Sequence, residues 1–324
     1  MKVMRAILLL ATTLWVAFPL HASAADEGFQ QWLKTFRAEA SAQGIPDGVL
    51  DQVFSSMHED ARVVKLDRKQ PEGKVSFTTY RGNIVTMDRI RKGQKLYAEH
   101  KALLDSISAH YKVPAQYIVA LWGIETNFGG YTGNFSTLNS LATLAYEGRR
   151  ADLFKKELMI ALHLIAKGEV RPSQLIGSWA GAMGHCQFMP SSFEKFAVDW
   201  NKNGKKDIWT ELPDVFASVA NYLSQEGWNQ TQPWGIAVRI KPGHQLKHED
   251  LYQPLTHREV SALEVITHQN TAPASFEGNS YLMHPGEPHE GTFLVFENYH
   301  VLLKWNRSRY FATAVGLLAD AIKG

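Results

Sequence analysis

The chain of 324 residues carries 34 Lys and Arg against 32 Asp and Glu, a formal charge of +2, and is 45% hydrophobic and 20% charged. Such a balance excludes nucleic-acid binding driven by net charge, the apolar fraction excludes a disordered chain, and the length suits one large domain or two small ones. Cys186 is the only cysteine, so no internal disulfide forms and the fold rests on its core.

At the start of the chain, Lys2 and Arg5 lead into "AILLLATTLWVAFPL", and Ala22-Ser23-Ala24 supplies a small-residue cleavage pattern. This predicts a secretory signal peptide over 1–24 and a mature chain beginning at Ala25. The apolar run is shorter than the ~20 residues a membrane span needs and contains Pro19. No cysteine follows the cleavage point to carry a lipid. The expectation is an exported protein of the bacterial periplasm with no stable membrane insertion.

Over 29–111 apolar residues recur at helical spacing, as in "FQQWLKTFRAEA" and "LLDSISAHY", with breaks at "GIPDGV" and "KQPEGK". A second helical block, 114–228, contains "ADLFKKELMIALHLIAKGE" and "DVFASVANYLSQEG" and is punctuated by Pro172, Pro190 and Pro213. Between 235 and 297 the β-prone pieces "IAVRI", "LEVIT" and "TFLVF" alternate with Pro, Gly, His and Asn. "NRSRYFATAVGLLADAI" then returns to helical periodicity. The expected fold is mainly α, with a helical domain over 25–235, a small β-rich insertion over 236–297, and a C-terminal helix within 298–324 packing back on the helical domain.

One stretch stands apart. In "ALWGIETNFGG" a single acid, Glu125, interrupts an apolar run that closes on Gly129 and Gly130. With Pro114 in the first turn, Ile118, Leu121 and Trp122 form an i, i+3, i+4 stripe on which Glu125 is the i+7 position. Desolvation and the negative end of the helix dipole both disfavour a carboxylate there, so its proton is held more tightly. A carboxylic acid that stays protonated near neutral pH suits a general acid. A buried glutamate paired with an arginine, or capping a neighbouring helix, satisfies the same spacing.

"GSWAGAMGHCQFMPSSF" reads as a ligand-lining loop: three glycines allow close backbone approach, while Ser178 and Gln187 offer a hydroxyl and an amide. A tight glycine-packed junction is the other reading. Cys186 within it reads as a buried structural thiol rather than a nucleophile. In "DWNKNGKKDIW", Asp199, Asn201 and Asn203 alternate before Gly204, as in the first half of a calcium loop. Thr210 stands where the twelfth-position Glu belongs, so Asp214 or Asp207 has to complete the oxygen cage with the Lys205 carbonyl. The other reading is a polar turn. The histidines of the β-rich stretch, His244, His248, His257, His268, His284 and His289, match no zinc spacing and read as scattered surface residues.

Taken together, "GIETNFG", "LATLAYEGRRADLF", "GAMGHCQFMPSSF", "SVANYL" and "KWNRSRYFATAV" resemble, in that order, the lytic murein transglycosylase B family, from Phe29 to the C-terminus. The resemblance implies a lysozyme-like helical catalytic core. It also implies an enzyme that cleaves the MurNAc-β-1,4-GlcNAc bond of peptidoglycan without water, leaving 1,6-anhydromuramic ends. It places Glu125 at the catalytic acid/base, Ser178 and Gln187 along the sugar subsites, and Tyr80 and Tyr222 among substrate contacts. Arg149 and Arg150 match a basic pair able to meet lactyl or peptide carboxylates, against which stands a solvated helix start. Asn306 matches an asparagine that orients the muramyl N-acetyl group, and Asp214 gains support as a ligand of a structural Ca2+. Trp305 and Phe311 stand where the family has tyrosines, and Leu153 replaces another aromatic.

The implied partner is the peptidoglycan glycan strand, not nucleic acid. A two-carboxylate glycosidase needs a second acid ~5–9 Å from the first, and none presents itself: Glu147 and Asp152 sit among arginines. A single glutamate suffices when the muramyl C6 hydroxyl is the nucleophile. A muramidase using water and a non-catalytic cell-wall binding protein remain as alternatives.

Overall fold

A computed structural model describes residues 24–69, 75–240, 253–267, 269, 271–273 and 278–324, with 24–26 described by backbone only. The signal peptide expected over 1–24 lies outside the described residues but for Ala24, as do His244, His248 and His268.

The helices run α1 (Ala24–Ala42), α2 (Asp47–Phe54), α3 (Ala61–Arg68), α4 (Phe77–Ile84), α5 (Met87–Glu99), α6 (Lys101–Tyr111) and α7 (Ala115–Thr126), followed by α8 (Thr137–Glu147) and α9 (Ala151–Ala166). Then come α10 (Pro190–Phe196), α11 (Leu212–Gln225), α12 (His257–Ala262), α13 (Glu297–Trp305) and α14 (Arg309–Lys323). Chemistry visible in the sequence sets many starts: Asp60, Ser76, Thr86, Ser136 and Ser308 each cap a helix by accepting an amide hydrogen. The fold is mainly α, as expected.

At its centre lies α7. The periodic stripe implied one apolar face, yet every residue from Ala115 to Gly123 is buried, Gln116 included. A helix apolar on all sides belongs inside, and α14, α11, α5 and α6 surround it. Pro114 is the residue just before the helix rather than within its first turn.

Two short strands, β1 (Phe135–Ser136) and β2 (Ile176–Gly177), pair antiparallel and bring the glycine-rich loop back to the end of α7. Neither was legible in the sequence. Four further strands, β3 (Gly235–Arg239), β4 (Ile266–Thr267), β5 (Ser280–Met283) and β6 (Thr292–Phe296), form an antiparallel sheet in the order β4-β3-β6-β5. The pieces read as β-prone supply β3, β4 and β6, whereas β5 went unread. Strand alternation splits the sheet: Tyr281, Met283, Phe293 and Val295 join the main core, and Leu282, Leu294 and Phe296 pack with Val238, Val260 and Val265 in a second one.

Trp234 roots the sheet. Its indole lies against Gly316 of α14, where an added Cβ would stand 2.2 Å from the ring, and its Nε1 donates to Asp320 Oδ2 at 2.9 Å. The reading of the histidines as surface residues fails at His284, which is buried with Nδ1 against the Gly291 carbonyl, while His257 and His289 are exposed. A buried ring just past the end of β5 follows from the sheet's register, which spacing alone does not report.

Candidate active site

Glu125 is the penultimate residue of α7. The helix stops because Asn127 takes a left-handed conformation, φ 52°, followed by Phe128 and Gly129 at φ 61° and 74°. Gly129 is needed for space as well as for its φ: an added Cβ would lie 2.3 Å from His185 Cε1. His185 Nδ1 accepts the Trp122 indole hydrogen at 3.0 Å, and the two rings stack. Gly129→Ala should therefore destabilise the protein by about 2–4 kcal/mol, from left-handed strain plus the clash, as read by urea denaturation. An unchanged midpoint would show that this turn relaxes freely.

The Glu125 side chain retains some solvent access, but the protein packed round it desolvates the carboxyl and pushes its pKa up to about 7. One contact opposes that rise: Trp305 Nε1 donates to Glu125 Oε1 at 2.7 Å. Trp305 is itself held edge-on by Tyr222, with ring centroids 4.6 Å apart, and leans on Phe188 at 5.4 Å. No second carboxylate enters the hydrogen-bond or charge environment of Glu125 among the described residues. The other buried glutamate, Glu157, accepts both the amide and the hydroxyl of Ser191 and so caps α10.

Tyr80, half-buried on α4, rests on Tyr310 and has its hydroxyl pKa raised by burial and by the nearby Glu125 charge. The buried Cys186 thiol is also pushed well up, by burial first and then by Glu125, as befits an inert structural group. In the loop leading back from β2, Gly177 permits an approach no side chain would, since a Cβ there would meet the Ala182 carbonyl oxygen at 2.0 Å. Ser178 Oγ accepts the Ala182 amide at 3.1 Å. Gln187, at φ 49°, donates from Nε2 to the carbonyls of Thr132 and Gly184, which leaves Oε1 as an unused acceptor among the described residues.

A family model described as "Transglycosylase SLT domain" matches residues 28–320. The chain belongs to that family. It is 30% identical over 290 residues to membrane-bound lytic murein transglycosylase B of Escherichia coli strain K12, covering 84% of this chain and 74% of the relative. Among solved structures it is similar to SltB3 from Pseudomonas aeruginosa in complex with NAG-NAM-pentapeptide, with TM-score 0.87, 40% identity, and coverage of 91% of this chain and 80% of that one. The same values hold for SltB3 in complex with NAG-anhNAM-pentapeptide. It is also similar to the E. coli lytic transglycosylase Slt35 in complex with calcium, with TM-score 0.76, 26% identity, and coverage of 93% and 94%. The neighbours are lytic transglycosylases of lysozyme-like fold.

Within this transglycosylase domain the remaining residues named from sequence fall into different settings. Arg149 and Arg150 lie exposed at the start of α9, and both also pair with Asp67, at 2.8 and 2.7 Å, which ties α3 to the turn between α8 and α9. Tyr222 is buried behind Trp305, a buttress more than an open contact. Asn306 is exposed at the end of α13, its Oδ1 taken by the Ser308 amide at 3.0 Å. Trp305 was legible only as a departure from the family tyrosine, and the aromatic rings that aim it, Phe188 and Tyr222, come from two other segments.

In the calcium-type loop, Asp199 accepts the amides of Asn203 and Gly204, and Asn203 Oδ1 accepts that of Lys205. Asp214 is fully buried and gives one oxygen to the Trp200 amide and the other to the Asp207 amide, at 2.8 and 2.9 Å. Glu211 instead faces the loop and meets the side-chain amides of Asn201 and Asn203. No cluster of three or more His, Cys, Asp or Glu side chains suited to a metal occurs among the described residues. The loop's donors are largely amide and main-chain oxygens, which is hard-cation chemistry.

Proposed function

We propose that this chain is a peptidoglycan lytic transglycosylase that cleaves the MurNAc-β-1,4-GlcNAc bond and leaves a 1,6-anhydromuramic end, with Glu125 as acid and then base. The observation that carries the reading is Glu125 itself: a desolvated carboxyl with a pKa of about 7, held by an indole donor and unaccompanied by a second acid. Protonated, it donates to the glycosidic oxygen as the bond to C1 breaks. Positive charge at C1 is met by the carbonyl oxygen of the substrate N-acetyl group. The carboxylate so formed takes the proton of the C6 hydroxyl while O6 closes on C1, so the proton is returned and no water is consumed. An internal hydroxyl competes well because its effective concentration is high.

The indole N–H only donates, so Oε1 accepts from it in both protonation states and the working proton belongs on Oε2. Tyr80, Ser178 and the open Oε1 of Gln187 are proposed to line the sugar groove, and the outward amide of Asn306 to reach the muramyl N-acetyl group. A water-using muramidase would gain from a second carboxylate to activate water, which the surroundings of Glu125 do not offer. The proposed organisation is the helical catalytic domain over 25–235, the small β subdomain over 236–297 and the returning C-terminal segment, with the periplasm as location.

Mass spectrometry of muropeptides released from purified sacculi tests the function. Anhydromuramic products support it; reducing muramic ends would replace it with the muramidase.

A structural Ca2+ fits the loop at 199–211. Asp199, Asn201, Asn203 and the Lys205 carbonyl would hold it with Glu211 completing the set, each asparagine amide turning by half a turn to present oxygen. Asp214 would stabilise the loop from beneath through its two amide bonds. The ion would clamp the α10–α11 connection and take no part in the chemistry. Saturating calcium should raise the melting temperature by about 5 °C, as expected for a ligand near 100 times its Kd, with EDTA reversing the rise and Glu211→Gln blunting it. An identical melting curve with and without calcium would remove the ion.

A further inference from the structure

Arg89 is a half-buried cation without an acid. It stands in the first turn of α5, where its amide bonds the hydroxyl of the capping Thr86, and no carboxylate pairs with its guanidinium among the described residues. Burial lowers its pKa, and the positive end of the α5 dipole opposes the charge as well. One of its donors has a plain structural use: Nη1 bonds the carbonyl of Ile84, the last residue of α4, and so ties that helix to α5. Nε has none. It is buried and meets no hydrogen-bond partner among the described residues, a costly state for a charged group. Capping α4 calls for no such burial, since a cation reaching in from the surface does the same.

The titratable group whose charge acts on Arg89 is Tyr80, carried on the helix that Arg89 caps. Tyr80 in turn feels two charges of opposite sign: burial first, then Glu125, raises its hydroxyl pKa, and Arg89 opposes them. Its ring is fixed against Tyr310, with centroids 5.6 Å apart, while its hydroxyl makes no hydrogen bond among the described residues. Helix α5 also packs on α7, which bears Glu125. A phenol with a fixed ring and a free rotor thus lies in the fields of a cation and of the catalytic carboxyl. A hydroxyl dipole turns to follow the local field. Here the oxygen is drawn to the guanidinium, which only donates, and the hydrogen to Glu125.

We propose that Arg89 is a positioning residue that aims the Tyr80 O–H at Glu125, so that the carboxylate formed when the glycosidic bond breaks meets a donor already turned toward it. This rests on the acid/base reading of Glu125 and deepens it. While Glu125 is protonated the phenol contributes little; once it is ionised the contact becomes a charge-assisted bond, so it strengthens as the reaction proceeds and favours the transition state over the bound substrate.

Two measurements test it. The first is a double-mutant cycle on glycan cleavage. Arg89→Gln should lower kcat about tenfold with KM nearly unchanged, and Arg89→Lys, which keeps the charge, should recover most of the rate. Tyr80→Phe should lower kcat by a similar factor, and adding Arg89→Gln to it should cost less than about twofold more. A guanidinium that merely props α4 gives losses that multiply. The second measurement reads Tyr80 without turnover, by carbon NMR of ring-labelled tyrosines with Tyr80→Phe supplying the assignment. The Tyr80 hydroxyl should titrate at higher pH in Arg89→Gln and at lower pH in Glu125→Gln. Losses that multiply, or a Tyr80 titration that Arg89→Gln leaves in place, would overturn the proposal. Both titration shifts together with no glycan cleavage by the wild type would uphold the aiming of Tyr80 by Arg89 and refute the enzymatic reading instead.

Discussion

Glu125→Gln is expected to reduce anhydromuropeptide release to background while leaving the fold intact, because the amide has nearly the shape of the acid and still accepts from Trp305 through its carbonyl oxygen. The substitution should also change stability in a direction fixed by proton linkage. The native carboxyl has a pKa of about 7 against an ordinary 4.5, so below 4.5 both folded and unfolded forms are protonated and nothing is lost. As pH rises from there through 7, the unfolded chain releases its proton first and the wild type loses stability, about 3 kcal/mol once Glu125 is ionised. Glu125→Gln escapes this loss. Its melting temperature should match the wild type near pH 4 and exceed it by several degrees at pH 8. Residual anhydro product would end the acid/base role, and parallel melting curves at both pH values would show that the carboxyl is not desolvated.

Trp305→Phe should act on the same proton from the other side. The indole bond favours the ionised carboxylate, so removing it should raise the Glu125 pKa beyond about 7. The enzyme needs the protonated form to begin, so kcat/KM falls on the alkaline side. That limb should move to higher pH in Trp305→Phe. At pH 6, where both proteins are mostly protonated, the rate should drop about 10- to 100-fold, because the carboxylate formed during bond cleavage loses a charge-assisted donor. Trp305→Tyr tests the bond itself, since a phenol that reaches Oε1 restores a donor and should pull the limb back. A purely packing role for Trp305 would lower stability and leave the limb where it is.

Much of the site was legible because it is local. The acid near the helix end, the glycines that let the loop approach, and the seryl and glutaminyl donors all lie within short runs whose spacing reports their geometry. The helix around Glu125 was recognisable from its period, but its burial on every side was not, because that depends on α14, α11, α5 and α6 arriving from elsewhere. Strand β5 escaped notice because a four-residue apolar run carries no decisive period.

Where two residues compete for one partner, sequence offered candidates and folding chose. Arg149 and Arg150 were readable as a basic pair, but not their partner: Asp67, 82 and 83 residues away, pairs with both while they stay exposed. Asp214 and Glu211 are both acids near the calcium-type loop, and the buried depth of α11 directs the first to main-chain amides and leaves the second facing the asparagines.

By itself the sequence determined that an acid would sit near the end of an apolar helix beside a glycine-lined loop, because backbone periodicity and side-chain chemistry act over a few residues. Only the tertiary structure decided how that acid is tuned. The Trp305 indole reaches Glu125 across 180 residues, and a single hydrogen bond at such separation exists only once the helices, the loop and the aromatic cage have packed together.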